Sequence, residues 1–229
     1  MKMKTKRKAL LLSLCAVLLV VASVMGTMAY LTAESDEVVN TFTVGKVNIT
    51  LDEAKVNGDG KPVDKNGNVV TDLSAAQRVI TNQYKLLPGI TYTKDPTVTV
   101  KPVSEESYVK VTVTFTKAKE LDAIFAPTGA DMTTIFNGYD AATWIAKGNT
   151  KDETANTRTY EFWYKEKVGA PDPDNDVVLD ALFNSITVPD AITKDQLTTI
   201  DGMTITVNAY AIQAAGFTDA ADAWNHFNA

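Results

Sequence analysis

The chain has 229 residues, with 22 Lys and Arg against 28 Asp and Glu, a formal charge of −6, one histidine and one cysteine. An acidic surface repels phosphate backbones and anionic membranes, so no nucleic-acid partner is expected and membrane contact is expected only during export. One Cys and one His also exclude a disulfide framework and the usual multi-histidine zinc centre.

In chain order, a cationic segment (Lys2, Lys4, Lys6, Arg7, Lys8) precedes an apolar run from Ala9 to Met25. Charge, apolar core and small-residue exit are the parts of a secretory signal peptide, whose core is read as a helix. Ala29, with Thr27 two residues earlier, offers the small side chains that a signal peptidase requires, so cleavage is expected between Ala29 and Tyr30. Residues 1–29 are therefore read as signal and 30–229 as one exported domain. Five basic residues leave with the signal, so the mature chain has 17 basic and 28 acidic residues, a formal −11. The apolar run is long for a signal, which keeps an uncleaved N-terminal anchor as the alternative. Lipidation at Cys15 is excluded, because Leu14 stands where lipoprotein processing needs a small residue.

Past Tyr30 the sequence is rich in Thr and Val and repeatedly alternates apolar with polar residues. Phe42 and Val44 alternate in even phase, and Val47, Ile49 and Leu51 in odd phase. The switch at Gly45-Lys46 suggests a bulge or a strand crossing between sheets. Gln83 to Leu87 and Ile90 to Val100 read as strands. Val109, Val111, Val113 and Phe115 share one strand face, with Lys110, Thr112, Thr114 and Thr116 on the other. Further strands are expected at Thr157 to Lys167, at Ser185 to Val188 and around Met203, Ile205 and Val207. Short helices are expected at Leu121, Ile124 and Phe125, at Met132, Ile135 and Phe136, and at Phe217, Ala221 and Trp224 with Thr218 as N-cap. Asn57-Gly58-Asp59-Gly60 and Leu87-Pro88-Gly89 are turn signals, and residues 171–176 form an exposed acidic loop. Many short strands with turn punctuation predict a mostly β chain, an antiparallel β-sandwich with a few short helices.

Chemistry-bearing constellations are sparse. His226 sits on the terminal helix and has no His or Cys companion, so no catalytic residue, no metal ligand and no cofactor site is assigned, and the chain is read as not an enzyme. The pair Glu105-Glu106 resembles the paired carboxylates of glycoside hydrolysis, but such pairs are common in an acidic chain. Asp64-Lys65-Asn66-Gly67-Asn68 looks like the start of a calcium loop but lacks the later bidentate Glu, so a hairpin is preferred and calcium is the lesser alternative. Asp172, Asp174 and Asp176 are read in the same way. Trp144, Trp163, Trp224, Tyr160, Phe162 and Tyr164 could line a sugar-binding face, with core packing as the preferred reading.

The block Gly26-Thr27-Met28-Ala29-Tyr30-Leu31-Thr32, followed by Asn40-Thr41-Phe42-Thr43-Val44-Gly45-Lys46-Val47-Asn48-Ile49, resembles the SipW-dependent TasA/camelysin (CalY) family of Gram-positive bacteria. Leu87-Pro88-Gly89 through Lys94-Asp95-Pro96, Tyr108-Val109-Lys110-Val111, and Ala209-Tyr210-Ala211-Ile212-Gln213-Ala214 through Trp224 are also similar. The resemblance implies a jelly-roll-like sandwich, secreted through the ER-type signal peptidase SipW and assembled into extracellular biofilm matrix fibres. It implies that residues 30–40 act as a donor strand to the next copy, with Tyr30, Leu31, Val38 and Val39 as its apolar contacts. Glu34, Asp36 and Glu37 leave the register of that strand open. Other copies of the chain and an accessory matrix protein are the expected partners, and the cell surface or matrix the expected location. A secreted adhesin or glycan-binding module is the alternative. The metalloprotease activity ascribed to part of the family is kept as the minor alternative, although a chain with one His gives it no support.

Overall fold

Strands dominate because β-branched side chains at alternate positions suit a pleated surface. The computed structural model describes residues 46–125 and 136–227. Its strands are β1 (Ile49–Ala54), β2 (Arg78–Val79), β3 (Thr91–Thr93), β4 (Thr97–Val100), β5 (Ser104–Thr116), β6 (Phe136–Asn137), β7 (Trp144–Asp152), β8 (Thr157–Tyr164), β9 (Val168–Ala170), β10 (Val177–Val178), β11 (Ser185–Thr187) and β12 (Ile205–Gln213). Three short α-helices, α1 (Ala118–Phe125), α2 (Lys194–Thr199) and α3 (Ala220–Phe227), and one turn of 3-10 helix at Leu73–Ala75 complete the described elements. Every ladder is antiparallel. The sheets run β12-β5-β8-β7, with β9 also on β5, then β10-β4-β1-β2 and β3-β11-β6. The expected antiparallel, mostly β architecture with few short helices is what the chain adopts; the signal helix lies outside the described residues.

The central strand β5 sets the core. Val109, Val111, Val113 and Phe115 are all buried, against Val98 and Val100 of β4, Tyr160 and Phe162 of β8, and Leu182 and Phe183. Phe136 stacks on Phe183 at 4.2 Å between ring centres and on Phe115 at 5.8 Å. Each fully buried side chain of this size contributes about 1.5–3 kcal/mol, so this layer holds the sheets together without a disulfide.

The other face of β5 is covered in part. Lys110 lies on the face opposite the apolar one, as the alternation has it, yet it is 4 % exposed. Helix α3 covers that face: the Lys110 ammonium lies 4.6 Å from the Trp224 ring centre and 5.7 Å from that of Tyr210. Tyr108, Ala214, Ala223 and Trp224 form a second small core there. The cap of α3 is also one residue later than expected. Asp219 Oδ1 accepts the Asp222 N–H at 2.9 Å, while the Thr218 N–H and hydroxyl turn to the Asp222 carboxylate.

Other expectations need correction. Residues 90–100 form two strands, because Pro96 lacks an N–H for a ladder and the side chains of Lys94 and Asp95 turn inward to ion pairs. Gln83 to Leu87 forms no strand; side chains hold it in place of a ladder. The strand expected to reach Lys167 ends at Tyr164, and β9 begins at Val168. Phe136 opens β6 where a helix was expected, and Met132 and Ile135 lie outside the described residues. Strands β2, β7 and β10 and helix α2 carry weak alternation or none, although Thr193 and Gln196 form a capping box at the start of α2.

Two turn expectations hold. Ile90 N–H donates to Leu87 O across Pro88-Gly89, with Gly89 at φ +71°. Gly60 adopts φ +73°, and a Cβ there would stand 2.2 Å from Tyr92 Cδ1, so both conformation and space demand glycine.

Candidate functional site

Among the described residues β12 pairs with β5 alone, and Ile205, Thr206 and Val207 line an open groove of about 1210 Å³. The facing wall is Leu51, Asp52 and Glu53 of β1, and β1 runs near β12 with no ladder joining them among the described residues. Residues 79–86 and the stretch from α2 to Thr204 close the rest. An unladdered strand edge keeps its N–H and C=O groups free to pair with an added strand. Ile80 adds an 88 % exposed apolar side chain to the groove lining, and Lys85 and Lys194 add exposed cations.

The β1 wall carries a polar network. Lys94 Nζ donates to Glu53 Oε2 at 2.6 Å, and Asn82 Nδ2 donates to Glu53 Oε1 at 2.9 Å. Arg78 bridges Asp52 and Asp95, while the second Asp95 oxygen accepts the Ala54 N–H at 2.7 Å. Glu53, Lys94 and Asp95 are buried, so each charge needs its partner; removing one member of such a pair costs about 3–5 kcal/mol. The segment after β2 is tied on by side chains. Tyr84 hydroxyl donates to Thr93 O at 3.1 Å, and Tyr92 hydroxyl donates to Lys85 O while accepting the Leu87 N–H. Burial first, and the Glu53 charge second, push the Tyr84 phenol well above its ordinary value.

The residues singled out in the sequence fall in several places. Ala29, Tyr30, Leu31, Val38 and Val39 lie outside the described residues. Asp64 spends both carboxylate oxygens on its own turn, accepting from the N–H groups of Asn66 and Asn68 and from the Asn68 side chain. Asp172 does likewise with Asp174 and Asn175, and Asp176 pairs with Lys101 at 2.7 Å. Among the described residues, no group of three or more His, Cys, Asp or Glu is arranged to hold a metal ion. His226 is exposed and hydrogen-bonds Asp222 O at 2.9 Å. Glu106 faces Lys167 at 3.8 Å on the surface. Trp144, Trp224, Tyr160 and Phe162 are core. Trp163 and Tyr164 are half-buried, Trp163 with Lys147 over its ring at 4.1 Å and Tyr164 edge-on to Trp144 at 5.0 Å between ring centres.

The groove and its polar wall have no counterpart in the sequence reading. Glu53 and Lys94 are 41 residues apart, and β1 and β12 about 150, so no local periodicity relates them. Leu51 and Ile205 were legible as strand residues, but not as walls of one groove. No family model matches the chain, and no curated protein or solved structure matches it either.

Proposed function

We propose that the protein is a secreted structural subunit of extracellular biofilm matrix fibres, in which the groove beside β12 receives residues 30–40 of a neighbouring copy. The observation that carries this reading is a β12 edge that no strand among the described residues pairs with, beside an open groove. An extended segment placed there satisfies the free backbone groups of β12, and apolar side chains give it register. Tyr30, Leu31, Val38 and Val39 suit the apolar lining formed by Leu51, Ile80, Leu197 and Met203. Glu34, Asp36 and Glu37 suit the cations Lys85 and Lys194. Donation from one copy to the next is head-to-tail and does not close, so it builds filaments. Cleavage between Ala29 and Tyr30 by SipW releases the segment and acts as the assembly switch. An accessory matrix protein fits the same scheme as a fibre partner.

The test is negative-stain electron microscopy of two purified forms, one beginning at Tyr30 and one at Thr41. Fibres from the first and none from the second are expected. Fibres from both would move the interface away from residues 30–40. If neither form polymerises at high concentration and with seeds, the structural role fails.

A further inference from the structure

We propose that Lys94 and Asn82 are joined by an intramolecular isopeptide bond, with Glu53 as the general acid–base that forms it. The proposal does not depend on what occupies the groove. It rests on one carboxylate placed between an amine and a carboxamide. Glu53 Oε2 accepts from Lys94 Nζ at 2.6 Å, and Glu53 Oε1 accepts from Asn82 Nδ2 at 2.9 Å. Lys94 is 5 % and Glu53 7 % exposed, and the Tyr84 ring lies 5.8 Å from the ammonium. The carboxamide is fixed at its other corner as well: Asn82 Oδ1 accepts the Val56 N–H at 3.0 Å, and Nδ2 also donates to Ala54 O. A buried ion pair by itself is a poor stabilising device, because the cost of desolvation offsets the attraction. Asparagine held against both the pair and an N–H donor gives the cluster a chemistry.

The steps balance without an oxidant or a cofactor. A proton passes from the Lys94 ammonium to Glu53 within their hydrogen bond, which frees the lone pair on Nζ. Nζ attacks Asn82 Cγ, and the negative charge that develops on Oδ1 meets the Val56 N–H, already in place as an oxyanion donor. Glu53 gives its proton to Nδ2 and then takes the second proton from the new Nζ–Cγ linkage. The Cγ–Nδ2 bond breaks and ammonia leaves. The product is a secondary amide, and Glu53 keeps its last proton, so no unpaired charge is left in the buried site. Glu53, Asn82 and Lys94 all line the open groove, which gives ammonia a way out.

The bond has a physical use here. The sequence after Ala29 contains no cysteine, so a disulfide is not available to fasten an exported domain. The segment from Ile80 to Leu87 has no ladder among the described residues, and an Asn82–Lys94 link closes a loop that takes in Asn82 to Leu87, the larger part of it. A cross-link restricts the unfolded chain in the way a disulfide does.

Mass spectrometry of the purified protein decides the matter. The intact mass is expected to fall short of the sequence mass by one ammonia. Trypsin should give a branched peptide in which the piece ending at Lys85 is joined to the piece carrying Lys94, with no cut after Lys94. Asn-Gly pairs at Asn57, Asn66 and Asn137 can also lose ammonia by cyclising, but that loss would persist in Lys94→Arg, whereas the cross-link would not. Glu53→Gln should restore the full mass, with circular dichroism confirming that the variant is folded. A full sequence mass for the unaltered protein, with trypsin cutting after Lys94, would overturn the proposal. A branched peptide that survives in folded Glu53→Gln would overturn the role given to Glu53.

Discussion

Asp122 on α1 sits between two cations, 2.9 Å from Lys151 Nζ and 2.7 Å from Arg158 Nη2. Burial acts to raise its pKa, but the hydrogen bonds from Lys151 and Arg158 outweigh it, and the carboxyl is held below the ordinary 3.8. Asp140 is lowered by the Thr143 hydroxyl and the Ala142 N–H, and Asp64 by the Asn68 side chain and backbone. For each of these, the folded pKa lies below the unfolded one. Their contribution is therefore present above pH 3.8 and is lost as pH falls through the folded values. Glu120 and Glu153 are lowered in the same way from 4.5, so thermal melting should hold level near neutral pH and fall progressively from about pH 5 downward. Asp122→Asn should cost no more than about 1 kcal/mol at neutral pH, since a partly exposed pair is screened, and should flatten part of the acid fall. A melting curve with the same acid slope in the variant would show that Asp122 does not carry it. At this scale the sequence was a fair guide to residues that act locally, such as the Asp64 turn and Gly60. It could not show the burial of Lys110, which depends on a helix more than 100 residues further on.

Helix α3 shows what an element contributes beyond its own length. Eight residues cannot hold a helix in water by backbone bonding alone, so packing must hold it. Trp224 supplies that packing: it is 2 % exposed, contacts Trp163 and Phe227 edge to face or tilted, and covers the Lys110 ammonium. Its indole N–H has no partner among the described residues. Trp224→Ala should therefore cost about 3–5 kcal/mol by denaturant unfolding and open Lys110 to water. Trp224→Phe keeps a ring over the ammonium and removes the orphan donor, so its cost should stay near 1 kcal/mol, within the spread for conservative core swaps. Equal losses for the two variants would mean that the ring is not what anchors the helix. The amphipathic spacing of Phe217, Ala221 and Trp224 made this helix legible. Strand β7 was not legible, since most of its residues are exposed at a sheet edge and so carry no two-residue period. Strands β2 and β10, at two residues each, are too short to show a period at all.

For the whole molecule, charge separates the folding of one copy from the assembly of many. Residues 30–229, the part proposed to be exported, carry a formal −11, so copies of it repel one another, and a contact of the proposed kind must place cations where acids arrive. Lys85 and Lys194 line the groove, while Glu34, Asp36 and Glu37 lie within the segment proposed to enter it. Both lysines have exposed side chains, so neither supports the core. Reversing them, Lys85→Glu with Lys194→Glu, should leave the melting temperature of the monomer within the range of ordinary surface changes. Fibre elongation should slow roughly tenfold at low salt, because complementary charge acts mainly on the rate of encounter. Added salt should narrow the difference, since screening weakens attraction in the parent and repulsion in the variant alike. Seeded growth followed by light scattering at two ionic strengths measures both effects. A slowed variant with an unchanged monomer would tie assembly to this groove, and unchanged growth at low salt would remove the groove lysines from the contact. The resemblance at the N-terminus supplied the segment and the β pattern supplied the strands. Only the folded chain sets a strand edge left unpaired among the described residues, two cations and the β1 wall around one groove, because those parts come from β1, the segment after β2, α2 and β12.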